Sequence, residues 1–461
     1  MSKYSIERWE PENPDFWAGG GRYIALRNLV FSVFAEFLAF SVWQVWSATT
    51  VKLNQIGFNF SDNQLFWLAA VPGLTGATLR IPYAFMVPIF GGRNWTLVST
   101  ALLLLPSIGI GMAVQDPNTP YSTFIILALL CGFGGGNFAS SMANINFFFP
   151  KRRKGFALGL NAAGGNIGVS IVQFTVPIVI AYQAFGSLGG PAQTIMTKAG
   201  AAQSIWLQNA AYIWVPFILV SLFTTFFLMN NLHVARASVK EQFSVFNNKH
   251  AWLMSILYVG TFGSFIGYAA GFPLLIKSQF PNIDPLKYAF LGPLVGSLIR
   301  PAGGWLSDKV GGSTVTFWNF IVMALAVVGV LHFLGHKGDP GAFLGFFSMF
   351  MILFTTSGIG NGSTYRMLPL IFIERNHLKA KNGECSHDEA MSRANKESGA
   401  VVGITSAFGA FGAFFIPKSF GTSIEMTGGP QAALIAFIGF YVVCIAITWW
   451  HYHRKNAEVR C

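Results

Sequence analysis

The chain has 461 residues, of which 53% are hydrophobic and only 10% are charged. Its mean hydropathy of +0.50 excludes an ordinary soluble globular protein, in which about a quarter of the residues carry charge. The net charge of +12 does not indicate a nucleic-acid partner, because the basic residues lie in polar segments that flank long apolar stretches. The composition therefore predicts a protein embedded in a lipid bilayer.

Twelve apolar stretches are long enough to cross that bilayer, since a helix needs about 20 mostly apolar residues to span roughly 30 Å of hydrocarbon. In chain order they lie at residues 28–52, 64–90, 95–114, 119–149, 156–183, 209–232, 251–276, 286–306, 313–335, 341–372, 397–422 and 430–452. We therefore predict an all-α membrane protein with twelve transmembrane helices.

The stretches divide into two groups of six. We predict an N-terminal segment at 1–27, a first bundle at 28–232, a polar linker at 233–250, a second bundle at 251–452 and a tail at 453–461. Residues 1–27 lack the short apolar core and cleavage site of a secretory signal, so the first helix is expected to be retained.

The basic residues between the spans are distributed unevenly. Twenty-one lysines and arginines lie in segments on the side of both termini, and five lie on the opposite side. Loops rich in lysine and arginine stay in the cytoplasm. We therefore expect both termini and the linker to face the cytoplasm.

The two bundles have similar sequence features at equivalent places. The second and eighth spans each hold one arginine, Arg80 and Arg300, about ten residues before a glycine pair. The fifth and eleventh spans are rich in small residues, and the candidate helix-sliding glycines are Gly164, Gly165, Gly168, Gly403, Gly409 and Gly412. Ordinary close packing of helices explains each glycine singly. Matched positions in two halves favour a carrier built from repeats that move around a central site.

An arginine in the middle of a membrane helix costs at least about 2.5–3.5 kcal/mol on insertion scales. Neither Arg80 nor Arg300 has an acidic residue in the apolar segment around it. Each side chain can extend to the interface or bond backbone carbonyls; alternatively, one anion compensates both charges near the midplane. The planar guanidinium fork suits a planar oxyanion, and nitrate, nitrite, bicarbonate and carboxylates all fit. The pair therefore indicates an anion carrier.

Aromatic and neutral polar residues narrow this choice, because a flat, weakly hydrated anion can lie between rings and a guanidinium plane. The candidate rings are Trp46, Phe138, Tyr258, Phe262 and Tyr365, and the candidate neutral donors are Asn166, Asn361 and Ser406. Aromatic residues make up 15% of the chain, so each ring is also consistent with simple packing.

Glu36 is a third costly residue, about nine positions into the first span. It is a structural partner for an arginine, a proton carrier, or a protonated side chain held by hydrogen bonds, and the sequence leaves all three open. Arg366 in the tenth span is a candidate partner for Glu36 or for a helix-end carbonyl. Both residues are therefore candidates for coupling or charge balance.

Five stretches resemble the NarK-type nitrate/nitrite porter family of the major facilitator superfamily, and the resemblance covers nearly the whole chain. They are Arg80–Gly92, Asn137–Ile145, Gly159–Gly168, Thr261–Gly267 and Gly403–Gly412. The resemblance implies the major facilitator fold of twelve helices in two pseudo-symmetric bundles.

The same resemblance implies an anion held between Arg80 and Arg300. By the same resemblance, the flanking rings are Phe138 and Phe262, the polar contacts come from Asn166 and Tyr258, and Ser406 lies nearby. The chain departs from the family at Ala162 and Ala163, where related signatures often read Gly-Gly, and at Glu36, where other members have an apolar residue.

The resemblance further implies transport of nitrate and nitrite in the inner membrane of a bacterium, without a cofactor. Closing the empty pocket would bring two arginines together with few counter-charges, which is unfavourable. We therefore expect nitrate/nitrite antiport. Proton-coupled nitrate symport through Glu36 is the alternative. The loops contain no nucleophile–base pair or metal-ligand cluster and no receptor domain, so we expect no enzyme activity, catalytic residue, metal or obligate protein partner.

Overall fold

The computed structural model describes residues 4–196, 200–233, 247–384, 386–459 and 461. Most of the predicted linker, at 234–246, lies outside the described residues. The predicted domain boundaries therefore remain a prediction.

The chain forms two compact units. The first comprises residues 1–236 and 269–294, and the second comprises residues 237–268 and 295–461. Residues 269–294 thus belong with the first unit although they follow the middle of the chain.

The helices of the N-terminal half follow the predicted spans closely. They are α1 (Pro14–Phe16), α2 (Arg22–Trp43), α3 (Val45–Leu53), α4 (Asp62–Phe90), α5 (Gly92–Leu102), α6 (Leu104–Ala113), α7 (Tyr121–Phe148), α8 (Lys151–Val179), α9 (Asn209–Tyr212) and α10 (Trp214–Leu228). A π-helical turn at Trp17–Gly21 and 3-10 turns at Asn54–Ile56 and Gly186–Gly189 lie between them.

The helices of the C-terminal half include one irregular turn of functional interest. They are α11 (Lys249–Tyr258), α12 (Ser264–Gln279), α13 (Leu291–Val310), α14 (Gly312–Gly335), α15 (Ala342–Lys381), α16 (His387–Ala410), α17 (Gly412–Thr427) and α18 (Gln431–Thr448). π-Helical turns lie at Val259–Gly263 and Trp449–His453, and a 3-10 turn lies at Pro285–Lys287.

These helices join into twelve long segments within the described residues, in agreement with the predicted number. Ten of the segments are long and apolar enough to cross a membrane. The two that are not among those ten, Asp62–Phe90 and Leu291–Val310, are the segments that carry Arg80 and Arg300. A central arginine therefore lowers the mean hydropathy of each of the two helices, α4 and α13.

The equivalent glycine pairs end these two helices in the same way. Gly91 follows α4 with φ of 86°, and Gly311 follows α13 with φ of 92°. A side chain strongly disfavours such positive φ angles, and glycine adopts them without penalty. Each pair therefore makes a tight turn into the next helix, and the two halves share this backbone feature.

Residues 4–21 form an N-terminal cap on the first unit, a feature that the sequence analysis did not predict. Trp9 is buried in an apolar cluster, and its Nε1 donates to the Phe147 carbonyl oxygen at 3.1 Å. The Glu12 carboxylate accepts from the backbone N–H of Lys151 at 2.8 Å. A negative side chain at a helix N-terminus is stabilising, so the cap secures the start of α8.

Four short strands add to the all-α prediction without changing the fold class. Strand β1 (Ser5–Ile6) pairs in parallel with β4 (Asn231–Leu232), joining the cap to the chain after α10. Strands β2 (Gln193–Met196) and β3 (Ala202–Ile205) form an antiparallel pair in the loop before α9.

Candidate anion-binding site

Arg80 lies on α4 close to the point where that helix crosses α7 at very short range. A Cβ atom added to Gly76 would lie 3.0 Å from the Cα of Gly135, so the crossing needs glycine on both helices. This approach brings the Arg80 Nε to 2.9 Å from the Gly135 carbonyl oxygen, which accepts its hydrogen bond. The arginine is 1% exposed. The glycine-rich face of α7 therefore holds the arginine as well as packing the helices.

Three aromatic rings lie around the Arg80 guanidinium. Its Cζ is 4.6 Å from the ring centre of Phe138, 5.5 Å from that of Trp43 and 6.0 Å from that of Phe40. These distances suit attraction between a cation and an aromatic face. Phe138 was predicted from the sequence, but Phe40 and Trp43 were not. Trp46 was also predicted as a ring of the site, but it packs edge-on against a phenylalanine of α7.

A sequence signal for the missed rings exists in α2. Phe40 and Trp43 follow Glu36 by four and seven positions, the spacing that places three residues on one face of a helix. The three residues contact or influence the same arginine, since the Arg80 charge also acts on the Glu36 carboxyl. The face of α2 that bears Glu36 is therefore the face that points to Arg80.

Glu36 is 1% exposed, and both of its carboxylate oxygens are buried without a hydrogen-bond partner among the described residues. The Ser141 hydroxyl and the Arg80 guanidinium are close enough to act on it electrostatically. Helix α8 closes the space beside it, because a Cβ atom at Gly165 would lie 3.0 Å from the Glu36 Cγ. A buried carboxyl in such surroundings is costly in its charged form, and this marks Glu36 as a functional candidate.

Asn166 lies on the same close-packed stretch of α8. It is 1% exposed, and its Oδ1 has no hydrogen-bond partner in the described part of the chain. A Cβ atom at Gly164 would lie 2.5 Å from the Val33 Cγ1, and one at Gly168 would overlap the Phe37 carbonyl oxygen. The predicted glycines of the fifth span thus lie where α8 contacts α2.

Arg300 occupies a comparable crossing in the second unit. It is 7% exposed, and its Nη1 is buried with no hydrogen-bond partner among the residues that the structure describes. Its Cζ lies 5.3 Å from the ring centre of Tyr365. A Cβ atom at Gly362 would overlap the Arg300 carbonyl oxygen, so α13 and α15 also meet at a glycine.

Tyr258 is the last residue of α11, and Phe262 lies in the π-helical turn that follows it. Their rings stack with centroids 5.4 Å apart and planes at 19°, and both residues are almost fully buried. A π-helical turn inside an α-helix often marks a functional position. A Cβ atom at Gly409 would lie 2.5 Å from the Tyr258 ring, so this ring pair needs glycine in α16.

The other predicted polar residues of the second unit are also buried. Asn361 is 1% exposed, and neither its Oδ1 nor the Tyr365 hydroxyl has a hydrogen-bond partner within the described ranges. The Ser406 hydroxyl donates to the Gly403 carbonyl oxygen at 2.7 Å. Ser406 therefore uses its donor inside its own helix.

The predicted partners of Arg366 were wrong. Its Nε lies 2.5 Å from the Asp308 Oδ1, and the side chains are 46% and 53% exposed. Packing of α15 against α13 brings the two together, and the pair is open to solvent. Arg366 is thus neutralised by Asp308, and Glu36 is left without this partner.

A helical membrane protein that buries an arginine within a helix of each of its two units, Arg80 in α4 and Arg300 in α13, has the features of a secondary carrier. The model of the major facilitator superfamily matches residues 29–379. A bacterial homologue of the human lysosomal transporter Spinster, solved in an inward-facing and occupied conformation, superposes with a TM-score of 0.64 at 15% identity, over 91% of this chain and 95% of that chain. That likeness shows the fold.

Two relatives match over nearly their full length. The chain is 49% identical over 460 residues to the nitrate/nitrite transporter NarU of Escherichia coli K12, covering 99% of this chain and 97% of that protein. It is 41% identical over 460 residues to the probable nitrate/nitrite antiporter NarK2 of Thermus thermophilus, covering 99% and 98%. The chain belongs to the major facilitator superfamily and, within it, to the NarK-type nitrate/nitrite porter family, as its sequence motifs predicted.

Proposed function

We propose that this carrier moves nitrate and nitrite across the bacterial cytoplasmic membrane by alternating access and exchanges one anion for the other. The observation that carries the proposal is the pair of arginines buried within helices of the two units, Arg80 in the first and Arg300 in the second, each beside an aromatic ring. The names of the relatives at 49% and 41% identity support nitrate and nitrite as the anions.

In this proposal both arginines bind the anion. A guanidinium donates parallel hydrogen bonds in one plane and matches a planar oxyanion, while aromatic faces cover the flat sides of a weakly hydrated ion. Phe138 and Phe262 take the flanking role. The remaining proposed contacts come from polar groups on the same helices: Asn166, Tyr258, Asn361, Tyr365 and Ser406.

The charges explain why exchange is favoured over one-way movement. Any two like unit charges that are brought to within about 8 Å of each other repel by about 2 kcal/mol at an effective dielectric constant of about 20. A barrier raised by that amount slows a step by about 30-fold. A bound anion removes this penalty, so the occupied carrier changes conformation faster than the empty one. The ligand thereby permits the transition because it binds the closed state better.

The membrane orientation follows from the same proposal. We propose that both termini face the cytoplasm and that the inner membrane is the location, and the uneven distribution of lysine and arginine supports this orientation. Glycines at the close helix crossings allow helices to slide with little steric resistance, and Gly165, Gly168 and Gly412 each lie against a neighbouring helix or turn.

The test is uptake of labelled nitrate into proteoliposomes that contain either nitrite or buffer. Exchange predicts rapid uptake only into nitrite-loaded vesicles, whether or not a proton gradient is present. Arg80→Lys and Arg300→Lys should each weaken nitrate binding at least tenfold, because an ammonium cannot reproduce the planar fork. Unchanged affinity in both variants would refute the proposed site.

Arg93→Lys is the matched control. Arg93 is also buried, but its guanidinium donates to the Phe226 carbonyl oxygen at 2.6 and 3.1 Å, near the end of α10. This variant removes a buried guanidinium from a structural contact. It should leave nitrate affinity unchanged, even where it lowers thermal stability.

Proton-coupled nitrate symport is the second candidate, and the burial of the Glu36 carboxyl favours it. The group is buried, and the Ser141 hydroxyl and the Arg80 charge are the neighbouring groups that act on it. Gain or loss of a proton at Glu36 changes the net charge near the arginine. It therefore changes the free-energy barrier for the conformational change of the carrier without a bound anion.

Glu36→Gln separates the two mechanisms. Symport predicts that an inward proton gradient drives uptake into nitrite-free vesicles and that the variant abolishes it. Exchange predicts that nitrate–nitrite counterflow survives the substitution. Asp308→Asn, which alters an exposed carboxylate paired with Arg366, is the control and should behave as the unaltered protein does in both assays.

A further inference from the structure

We propose that Trp43 is a positioning residue that fixes Arg80 in the orientation required for anion binding. The inference rests on the proposed function, because it assumes that Arg80 binds the transported anion. It adds a residue that contributes through the arginine and through the backbone that holds it.

Trp43 fills the point where α2, α4 and α7 come together. It is the last residue of α2 and is 1% exposed. A Cβ atom at Gly76 would lie 2.6 Å from its Nε1, and one at Gly135 would lie 2.6 Å from its Cε2. The indole ring therefore occupies the space that two missing side chains leave open, and it sets how close α4 and α7 can approach.

The indole N–H fixes the ring in this space. Nε1 donates to the Pro72 carbonyl oxygen at 2.7 Å. Pro72 lies inside α4, where it removes one backbone donor and weakens the local helix. Arg80 follows eight residues later, about 12 Å along the helix axis. The bond therefore ties α2 to α4 at one of the three prolines of the helix that carries the arginine.

The same ring also contacts the groups that orient the guanidinium. Gly135, against which the indole packs, provides the carbonyl oxygen that accepts from the Arg80 Nε. The centre of the Trp43 ring lies 5.5 Å from the Arg80 Cζ. The centre of the Phe138 ring lies 4.6 Å from the same atom. Trp43 thus contacts both the arginine and the residue that provides its hydrogen-bond acceptor.

Trp43→Phe tests this role because it keeps most of the ring and removes the N–H. Without the bond to Pro72 the ring can turn, and the distance between α4 and Gly135 is no longer fixed. We expect the dissociation constant for nitrate, measured by calorimetry on purified protein, to rise about tenfold, the effect of one buried hydrogen bond.

Trp214→Phe is the matched control. Trp214 is also buried, and its Nε1 donates to the Ala210 carbonyl oxygen at 3.0 Å, within its own helical segment. Both substitutions should lower the melting temperature by similar amounts, but only Trp43→Phe should weaken nitrate binding. Equal nitrate affinities in the two variants would overturn the inference.

A second variant covers the case in which Trp43→Phe does not fold. Gly76→Ala places a methyl group against the indole nitrogen and should also raise the dissociation constant, whereas Gly159→Ala, with open space around it, should not. If Arg80→Lys binds nitrate normally, the proposed site itself is wrong. If Arg80→Lys loses binding while Trp43→Phe and Gly76→Ala retain full affinity, only the role of Trp43 is wrong.

Discussion

Gly409→Ala tests whether close helix contacts in α16 are required for both stability and transport. The added Cβ would lie 2.5 Å from the Tyr258 Cδ1 and 3.3 Å from the Phe262 Cδ1. Ordinary contact begins near 3.4 Å, so the Tyr258 ring must move by about 0.9 Å. That ring is 1% exposed and stacks on Phe262, which leaves it little room to move.

Overpacking of this kind costs about 1–3 kcal/mol, while replacing a helical glycine by alanine gains up to about 1 kcal/mol. Gly409→Ala should therefore change stability by between about zero and a loss of 2 kcal/mol, and the displaced ring should raise the KM for nitrate in proteoliposome uptake.

Gly403→Ala is the matched control in the same helix, because nothing lies within 4 Å of its added Cβ. The substitution should stabilise the protein by up to about 1 kcal/mol, because alanine favours a helix over glycine, and it should leave the KM for nitrate unchanged. Thermal unfolding in detergent and nitrate uptake should be measured on both variants. Equal melting temperatures and equal KM values would refute the argument that Gly409 is required for packing against the tyrosine.

Three further predictions concern the rest of the molecule. Trp9→Ala removes a buried ring and its hydrogen bond to α7 and should cost about 3–5 kcal/mol, measured by thermal unfolding against Trp9→Phe. Burial is the largest single influence on the Glu458 pKa and opposes ionisation, but the hydrogen bonds and charges of Lys249 and His250 together outweigh it and lower the pKa. This stabilisation is present above the unfolded pKa of 4.5 and is lost as pH falls through the folded pKa, so Glu458→Gln should flatten the acid-induced drop in melting temperature. Arg366→Ala should change stability by less than about 1 kcal/mol, because its partner Asp308 is exposed; a larger loss in thermal unfolding would contradict this.

The membrane spans were predictable because their signal is local. A run of about 20 apolar residues must form a helix in lipid, and twelve such runs correspond to the long helical segments observed. Arg80 and Arg300 were identifiable for the same reason, since their cost is a property of the segment around them. The glycine pair after each arginine was also visible, and both turns have the positive φ that glycine favours.

The surroundings of those arginines were not predictable, because helix crossings decide them. In a chain with 15% aromatic residues, ring content alone does not distinguish Trp43, which faces Arg80, from Trp46, which packs elsewhere; only the spacing from Glu36 separates them. The π-helical turn at Val259–Gly263 has no signal in apolar periodicity. The N-terminal cap depends on contacts between Trp9 and Phe147, 138 positions apart, and no local pattern encodes such a contact.

If the carrier works by the proposed exchange, Glu36 should affect how strictly transport depends on a counter-anion. An ionised carboxylate near Arg80 would offset one of the two positive charges, so the empty carrier would close at lower cost and nitrate would leak without counter-anion. A neutral Glu36 leaves both charges uncompensated, and exchange becomes obligatory. Glu36→Gln makes the neutral state permanent. If the natural carboxyl is charged during transport, the variant should suppress nitrate efflux into anion-free buffer while preserving counterflow. Equal leak rates, measured with labelled nitrate across a range of pH, would show that Glu36 does not contribute to the charge that controls closure.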